Sequence, residues 1–148
     1  MRAQAAFALT AALLAAIGSA RAAEYASVAE GPAILYDSPS TKGSKLFVVS
    51  RYMPLEQIVK LNDWIKVRDS TGSIAWIEKR ALSSKRFVVV TSDLSPIRQS
   101  PEVSAAVLAQ IKKQVALEWL ENNGSGWAKV RIQDGLTGYI KAADAWGN

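Results

Sequence analysis

The sequence predicts an all-β protein, two tandem small β-barrels after a cleaved N-terminal signal peptide. Three observations carry this: the chain repeats itself, each copy alternates apolar and polar residues, and an apolar run precedes the first copy. Leu55-Glu56, Trp64-Ile65-Lys66-Val67-Arg68, Gly72 and Trp76-Ile77 are answered by Leu117-Glu118, Trp127-Ala128-Lys129-Val130-Arg131, Gly135 and Tyr139-Ile140. The offset is 62 at Leu35/Ile97, Pro39/Pro101 and Leu55/Leu117, and 63 at Trp64/Trp127, Gly72/Gly135 and Ile77/Ile140. One residue has therefore been inserted between Glu118 and Trp127. Self-similarity at such a period means one supersecondary unit used twice.

In chain order, Arg2 gives a short positive start, Ala5 to Ile17 is apolar, and Ala20-Arg21-Ala22 offers the small-x-small pattern of a signal-peptidase site. The run is too short for a stable membrane span, so residues 1–22 are expected to be a signal peptide and the mature chain to hold no integral membrane segment. The chain has no cysteine, which removes a lipid-attachment site and disulfides. Copy one is assigned to 24–84 and copy two to 85–147. Each is near the lower size limit for a core that folds without a staple.

Within the copies, Tyr25–Val28, Ile34–Tyr36, Leu46–Ser50, Leu55–Leu61 and Phe87–Thr91 read as short strands. Ile65 and Val67 interleave with Trp64, Lys66 and Arg68, and Ala128, Val130 and Ile132 interleave with Trp127, Lys129 and Arg131, the period of a half-buried strand. Asp69-Ser70-Thr71-Gly72 and Gln133-Asp134-Gly135 supply turns that close hairpins onto Ile74–Ile77 and Thr137–Ile140. One stretch conflicts: Val103, Val107, Ile111 and Val115 recur every four residues in a segment rich in Ala, Lys and Gln, which by itself says helix. The repeat aligns it with Gly43 to Pro54, where Leu46-Phe47-Val48-Val49 reads as strand, and strand is expected in both. Only Ser83-Ser84-Lys85 separates the copies, which predicts a fixed relation between them.

Composition excludes several function classes. With no histidine and no cysteine, the usual zinc ligands and the Cys-His and Ser-His catalytic pairs are missing. No Gly-x-Ser-x-Gly, Ser-x-x-Lys or glycine-rich phosphate loop occurs. Glu56 and Glu118 match each other but lie in separate copies, a poor arrangement for glycoside hydrolysis. No catalytic residue, metal or cofactor is expected. The chain carries 18 Lys/Arg and 13 Asp/Glu, and loss of Arg2 and Arg21 with the signal lowers its net charge to +3. The basic residues are dispersed, unlike those of a nucleic-acid binder.

Each copy resembles a bacterial SH3-like (SH3b-type) domain, the small β-barrel common in exported and envelope proteins. The resemblance lies in the Ser-Pro loops (Ser38-Pro39, Ser100-Pro101), Pro54-Leu55-Glu56, Asn62-Asp63-Trp64 with Val67-Arg68, Gly72 and Trp76-Ile77, and it covers nearly all of residues 24–146. The chain departs from the family pattern at Ile34-Leu35-Tyr36 and Pro96-Ile97-Arg98 before the Ser-Pro loops, and at Ala75-Trp76 and Gly138-Tyr139 in the closing strands. The resemblance implies a wall-targeting role, the family being a frequent appendage of cell-wall hydrolases.

If Ile65 and Val67 face the core, Trp64, Lys66 and Arg68 share the opposite face, with Tyr36 and Trp76 beside them. Trp127, Lys129 and Arg131 repeat the arrangement, with Arg98 and Tyr139 beside them. Aromatic rings give flat contact area at low entropic cost, and the cations can meet carboxylates of a peptide or glycan. The competing reading makes Trp64 and Trp127 packing residues beneath a solvated charged face. The expected function is an exported, periplasmic, non-enzymatic binding module that recognises peptidoglycan or a cell-wall peptide. The alternative is a protein–protein scaffold in the periplasm with no wall ligand.

Overall fold

The computed structural model describes residues 21–148; the expected signal peptide falls almost entirely outside them. Strands β1 (Tyr25–Val28), β2 (Ala33–Tyr36), β3 (Lys45–Val49), β4 (Pro54–Lys60), β5 (Trp64–Arg68), β6 (Ile74–Glu78) and β7 (Leu82–Ser83) make the first unit. Strands β8 (Phe87–Val90), β9 (Leu94–Arg98), β10 (Val107–Lys112), β11 (Ala116–Asn122), β12 (Trp127–Arg131), β13 (Thr137–Lys141) and β14 (Ala145–Trp146) make the second. Each unit is one seven-stranded antiparallel sheet, ordered β3-β2-β6-β5-β4-β1-β7 and β10-β9-β13-β12-β11-β8-β14. The two orders are the same permutation, so the repeat in sequence is a repeat in topology.

The all-β expectation holds. The expected barrels differ in one respect: among the described residues neither hydrogen-bonded circuit closes, and β3 and β7, like β10 and β14, remain sheet edges. Each sheet nevertheless wraps its own core, because its strands converge on one apolar cluster. Val28, Leu35, Leu55, Ile65, Val67 and Ile77 form the first cluster, with Val49 and Leu82 against it. Val88, Val90, Ile97, Leu117, Val130 and Ile140 form the second. Burying each such side chain contributes about 1.5–3 kcal/mol.

Bulges recur at matched places, between Gln57 and Val59 on β4 and between Trp119 and Glu121 on β11. A bulge bends its strand and sharpens its twist, which lets β4 pair with β1 over Pro54–Glu56 and with β5 over Glu56–Lys60.

The helical-looking segment is strand where it is regular: β10 pairs with β9 over Val107–Lys112, and Val103 lies exposed in the preceding loop. A spacing of four is even and fits one face of a regular strand as readily as one of a helix; here a bulge between Val107 and Ala109 leaves Val107 opposite Arg98, while Ala109 and Ile111 pack on the core. Pairing with β9 decides for strand. The two-residue strands β7 and β14, each after a 3-10 turn (Lys79–Ala81, Ala142–Asp144), are too short to leave a period in the sequence. Ser83 belongs to β7, pairing with Ser27, so the connection between the sheets is Ser84, Lys85 and Arg86.

The units meet along a seam. The Phe87 backbone N–H donates to Ser27 Oγ at 3.2 Å, and the Tyr52 ring stacks on Phe87 with centroids 4.6 Å apart and planes 6° from parallel. Tyr25 meets Trp146 edge-on at 5.1 Å. Arg86 donates to the Gly147 carbonyl at 2.6 Å, its guanidinium 5.3 Å from the Tyr25 ring centroid and 4.8 Å from that of Trp119. Gly147 has φ +103°, and a Cβ there would lie 2.8 Å from Pro54 Cβ.

One difference between the copies is explained by packing. Gly138 occupies the place of Ala75, and a Cβ at 138 would lie 2.5 Å from Ile97 Cγ2 and 2.8 Å from the Arg98 carbonyl. The counterpart of Ile97 is Leu35, which has no branch at Cβ to fill that space. Gly138→Ala should therefore destabilise the second unit by about 1–3 kcal/mol through overpacking, measured by thermal unfolding. Adding Ile97→Leu should recover part of the loss, and no recovery would count against Ile97 as the obstacle.

Candidate functional site

Strand β5 alternates as the sequence requires: Ile65 and Val67 are buried, while Trp64, Lys66 and Arg68 point to the other face. Lys66 lies opposite Trp76 on β6, and Trp76 lies opposite Tyr36 on β2, so the three form a row across the sheet. The Lys66 ammonium stands 5.8 Å from the Trp76 ring centroid, and Trp64 meets Tyr36 edge-on at 5.4 Å. A cation over an indole face is worth about 0.5–1 kcal/mol at an exposed site. Tyr36 is only 5% exposed and is packing more than surface. Trp64 and Trp76 keep part of their surface open.

The second unit brings the corresponding residues into the same row, Lys129 opposite Tyr139 and Tyr139 opposite Arg98, but with different chemistry. Trp127 is buried, at 8% exposure, whereas Trp64 is half-buried. Trp127 directly follows the loop that carries the inserted residue. There the Asn123 side chain accepts from the backbone N–H groups of Ser125 and Trp127, and Gly124 and Gly126 take left-handed φ of 75° and 86°. Arg98 turns to the Ser-Pro loop, donating to the Ala105 carbonyl at 2.8 Å. Lys129 lies 3.8 Å from Glu121, whose counterpart in the first unit is the apolar Val59. Lys66 has no ion-pair partner among the described residues.

Arg68 and Arg131 are engaged alike in both units. Arg68 pairs with Glu56 at 2.9 Å and Arg131 with Glu118 at 3.3 Å. Glu56 and Glu118 thus orient the outermost cation of each face. Such half-exposed pairs contribute about 0–1 kcal/mol and leave the guanidinium free to meet a second carboxylate from outside.

The Ser-Pro loops share a backbone frame. Asp37 N–H donates to Ser44 O, Ser40 N–H to Ser38 O and Gly43 N–H to Ser40 O, and Gln99, Glu102 and Ala105 repeat these bonds to Ala106, Ser100 and Glu102. In the first unit the Asp37 carboxylate completes the frame, accepting from Ser38 Oγ at 3.0 Å and from the Ser44 backbone N–H at 2.9 Å. Those bonds, Ser38's foremost, hold the Asp37 carboxyl below its ordinary pKa.

The sequence reading missed the seam residues Tyr25, Tyr52, Arg86, Trp119 and Trp146. A signal was present: at four of these five positions the copies carry unlike residues. By the repeat offsets, Arg86 matches Glu24, Trp119 matches Gln57, Trp146 matches Ser83 and Tyr52 matches Gln114.

Residues 29–84 match a family model described as a bacterial SH3 domain, and residues 92–144 match a second model of the same description. Among solved structures, the chain is similar to NlpC1 from Trichomonas vaginalis, with 15% identity over 95% of this chain and 51% of that one, at a TM-score of 0.41. NlpC2 from the same organism gives 13% identity over 88% and 50%, at 0.38. An NlpC/P60 family protein from Bacillus cereus gives 13% over 82% and 55%, at 0.38. The chain spans about half the length of each of these proteins. No curated protein matches it.

The Asp37 frame predicts a pH response. A carboxyl whose pKa is lowered by folding stabilises its loop above the unfolded value near 3.8 and loses that contribution as pH falls through the folded value. Hydrogen exchange at the Ser44 amide should accelerate, beyond its intrinsic pH dependence, as pH drops from 6 to below the unfolded value. Asp37→Asn should remove that step, whereas the Ala106 amide in the second unit, opposite Gln99, should not show it.

Proposed function

The chain belongs to the bacterial SH3 domain family, carrying two such domains in tandem, and from this we propose that it is an exported, non-enzymatic binding protein of the bacterial envelope that recognises peptidoglycan or a cell-wall peptide. The observation that carries the reading is the outer face of β5 and β6 in the first domain. Lys66, without an acidic partner among the described residues, stands over Trp76, with Trp64 and the Glu56-oriented Arg68 on the same strand. The ring offers a flat surface to a sugar or a peptide, and the cations suit the carboxylates of a stem peptide. The second domain presents Arg98, Lys129 and Tyr139 in the corresponding row. Two linked faces raise apparent affinity through effective concentration when both reach one polymer. Periplasmic residence is part of the same proposal and rests on the N-terminal sequence.

A second reading, a protein–protein scaffold, draws on the edge strand β3. It carries Leu46, Phe47 and Val48 at 43, 50 and 73% exposure beside a row of backbone groups that no strand of the described residues pairs with, the kind of edge that accepts a partner strand.

Cosedimentation with purified sacculi separates the two. The protein should pellet with sacculi at low salt, and Trp76→Ala should weaken binding about fivefold, on the order of 1 kcal/mol, with an unchanged circular dichroism spectrum. Failure of the folded wild type to pellet at low salt, where charge attraction is least screened, would contradict the wall reading.

A further inference from the structure

We propose that the seam between the two domains is a second ligand site, one that takes an extended acidic peptide segment. It goes beyond the wall-binding face, shares neither Trp64, Lys66, Arg68 nor Trp76 with that of the first domain, and meets that of the second only at Arg131 and its partner Glu118. Neither domain makes this groove alone. One wall is the turn Ser50–Met53 that leads into β4; the other is Gln114–Leu117 with Ile132 and Gln133, and they enclose a cavity of about 240 Å³. A second hollow of about 160 Å³ adjoins it, sharing Tyr52, Ala116, Ile132 and Gln133 and adding Lys85, Phe87, Glu118 and Arg131.

Tyr52 lies where the two hollows join, and its backbone is informative. It has φ 69°, and its counterpart Gln114 has φ 67°. Each donates its backbone N–H across its own domain, Tyr52 to the Val28 carbonyl and Gln114 to that of Val90, at 2.9 and 2.8 Å. The turn thus requires a left-handed residue in both copies. Glycine or asparagine would fill it at least cost, and a bulky side chain there is uncommon. Both copies instead place a side chain that lines the groove: a phenol in one, an amide in the other. Strained backbone of this kind concentrates at ligand sites.

The charges favour an acidic ligand. Lys85 and Arg131 share a single acid, Glu118, at 3.5 and 3.3 Å. Arg51 is exposed, stands over the Tyr52 ring at 5.0 Å and has no ion-pair partner among the described residues. Three cations against one carboxylate leave the groove net positive. The side-chain amides of Gln114 and Gln133 each offer a donor and an acceptor, which suits the alternating N–H and C=O groups of an extended peptide. Met53 and Ile132 give apolar contact between them.

An NMR titration of the full chain with the pentapeptide acetyl-Ala-Glu-Ala-Glu-Ala, and with its glutamine counterpart bearing an amidated C-terminus, tests this. The acidic peptide should shift resonances of residues 50–53, 114–117 and 131–133, and the neutral peptide should shift them far less. Arg51→Ala, at an exposed position outside both cores, should weaken binding about fivefold or more, whereas Lys42→Ala, an equal loss of charge in the Ser-Pro loop, should leave it unchanged. Equal response to both peptides, equal weakening by both variants, shifts confined to β5 and β6, or no shift at millimolar peptide would each overturn the proposal. These outcomes are independent of sacculus binding.

Discussion

Arg86 is a cation taken partly out of water, and the arrangement of the two domains is built around how that cost is met. Burial lowers its pKa, with Tyr25 opposing the shift, and no carboxylate pairs with it among the described residues. The compensation comes from two aromatic faces, Tyr25 of one domain and Trp119 of the other, and from the Gly147 carbonyl. Cation–π attraction grows as water is excluded, so a half-buried guanidinium between rings suits a place where an ammonium ion would lose more hydration. The arginine backbone is fixed too, since its carbonyl accepts from the Trp119 N–H at 3.0 Å. An arginine in a three-residue connection, held by both sheets, turns a linker into a joint.

That joint links the two candidate surfaces. Tyr25, beneath Arg86, pairs across β1 and β4 with Glu56, the carboxylate that orients Arg68 at the end of the proposed wall-binding face. The Tyr25 phenol has a raised pKa, through burial first and the Glu56 charge second. On the other side of the seam, Phe87 follows Arg86 directly and supplies the ring on which Tyr52 stacks in the groove. The domains are therefore alike in topology and unlike in surface chemistry. The first presents an aromatic row with a lysine that has no ion-pair partner among the described residues; the second answers with Arg98 and a Lys129 already near Glu121. A duplicated fold keeps its core pattern, in Leu35/Ile97, Leu55/Leu117 and Ile77/Ile140, while its surface residues diverge.

Much of the fold was legible because burial in a sheet has a period of two, and that period survives in any strand of four or five residues. Comparing the copies resolved Val107 to Lys112, where local composition favours helix and a spacing of four fits either structure. The two-residue strands β7 and β14 were not legible, because two residues carry no period. The outer face was legible as composition but not as environment: Trp64 and Trp127 occupy matched positions, yet the loop ahead of Trp127 is longer and the ring is buried. The seam was the least legible part. Its bonds join residues about sixty apart, such as Ser27 to Phe87 and Arg86 to Gly147, and such pairs leave no local pattern. Their trace lies in the positions where the copies disagree.

The measurement that tests this account most directly is the relative alignment of the two domains in solution, from residual dipolar couplings of backbone amides in β4–β6 and β11–β13. If Arg86 and its aromatic neighbours join the domains into one body, a single alignment tensor should fit both sets, and Arg86→Ala should split it into two of differing magnitude. Two different tensors for the unaltered protein, or one shared tensor that persists in Arg86→Ala, would contradict the account.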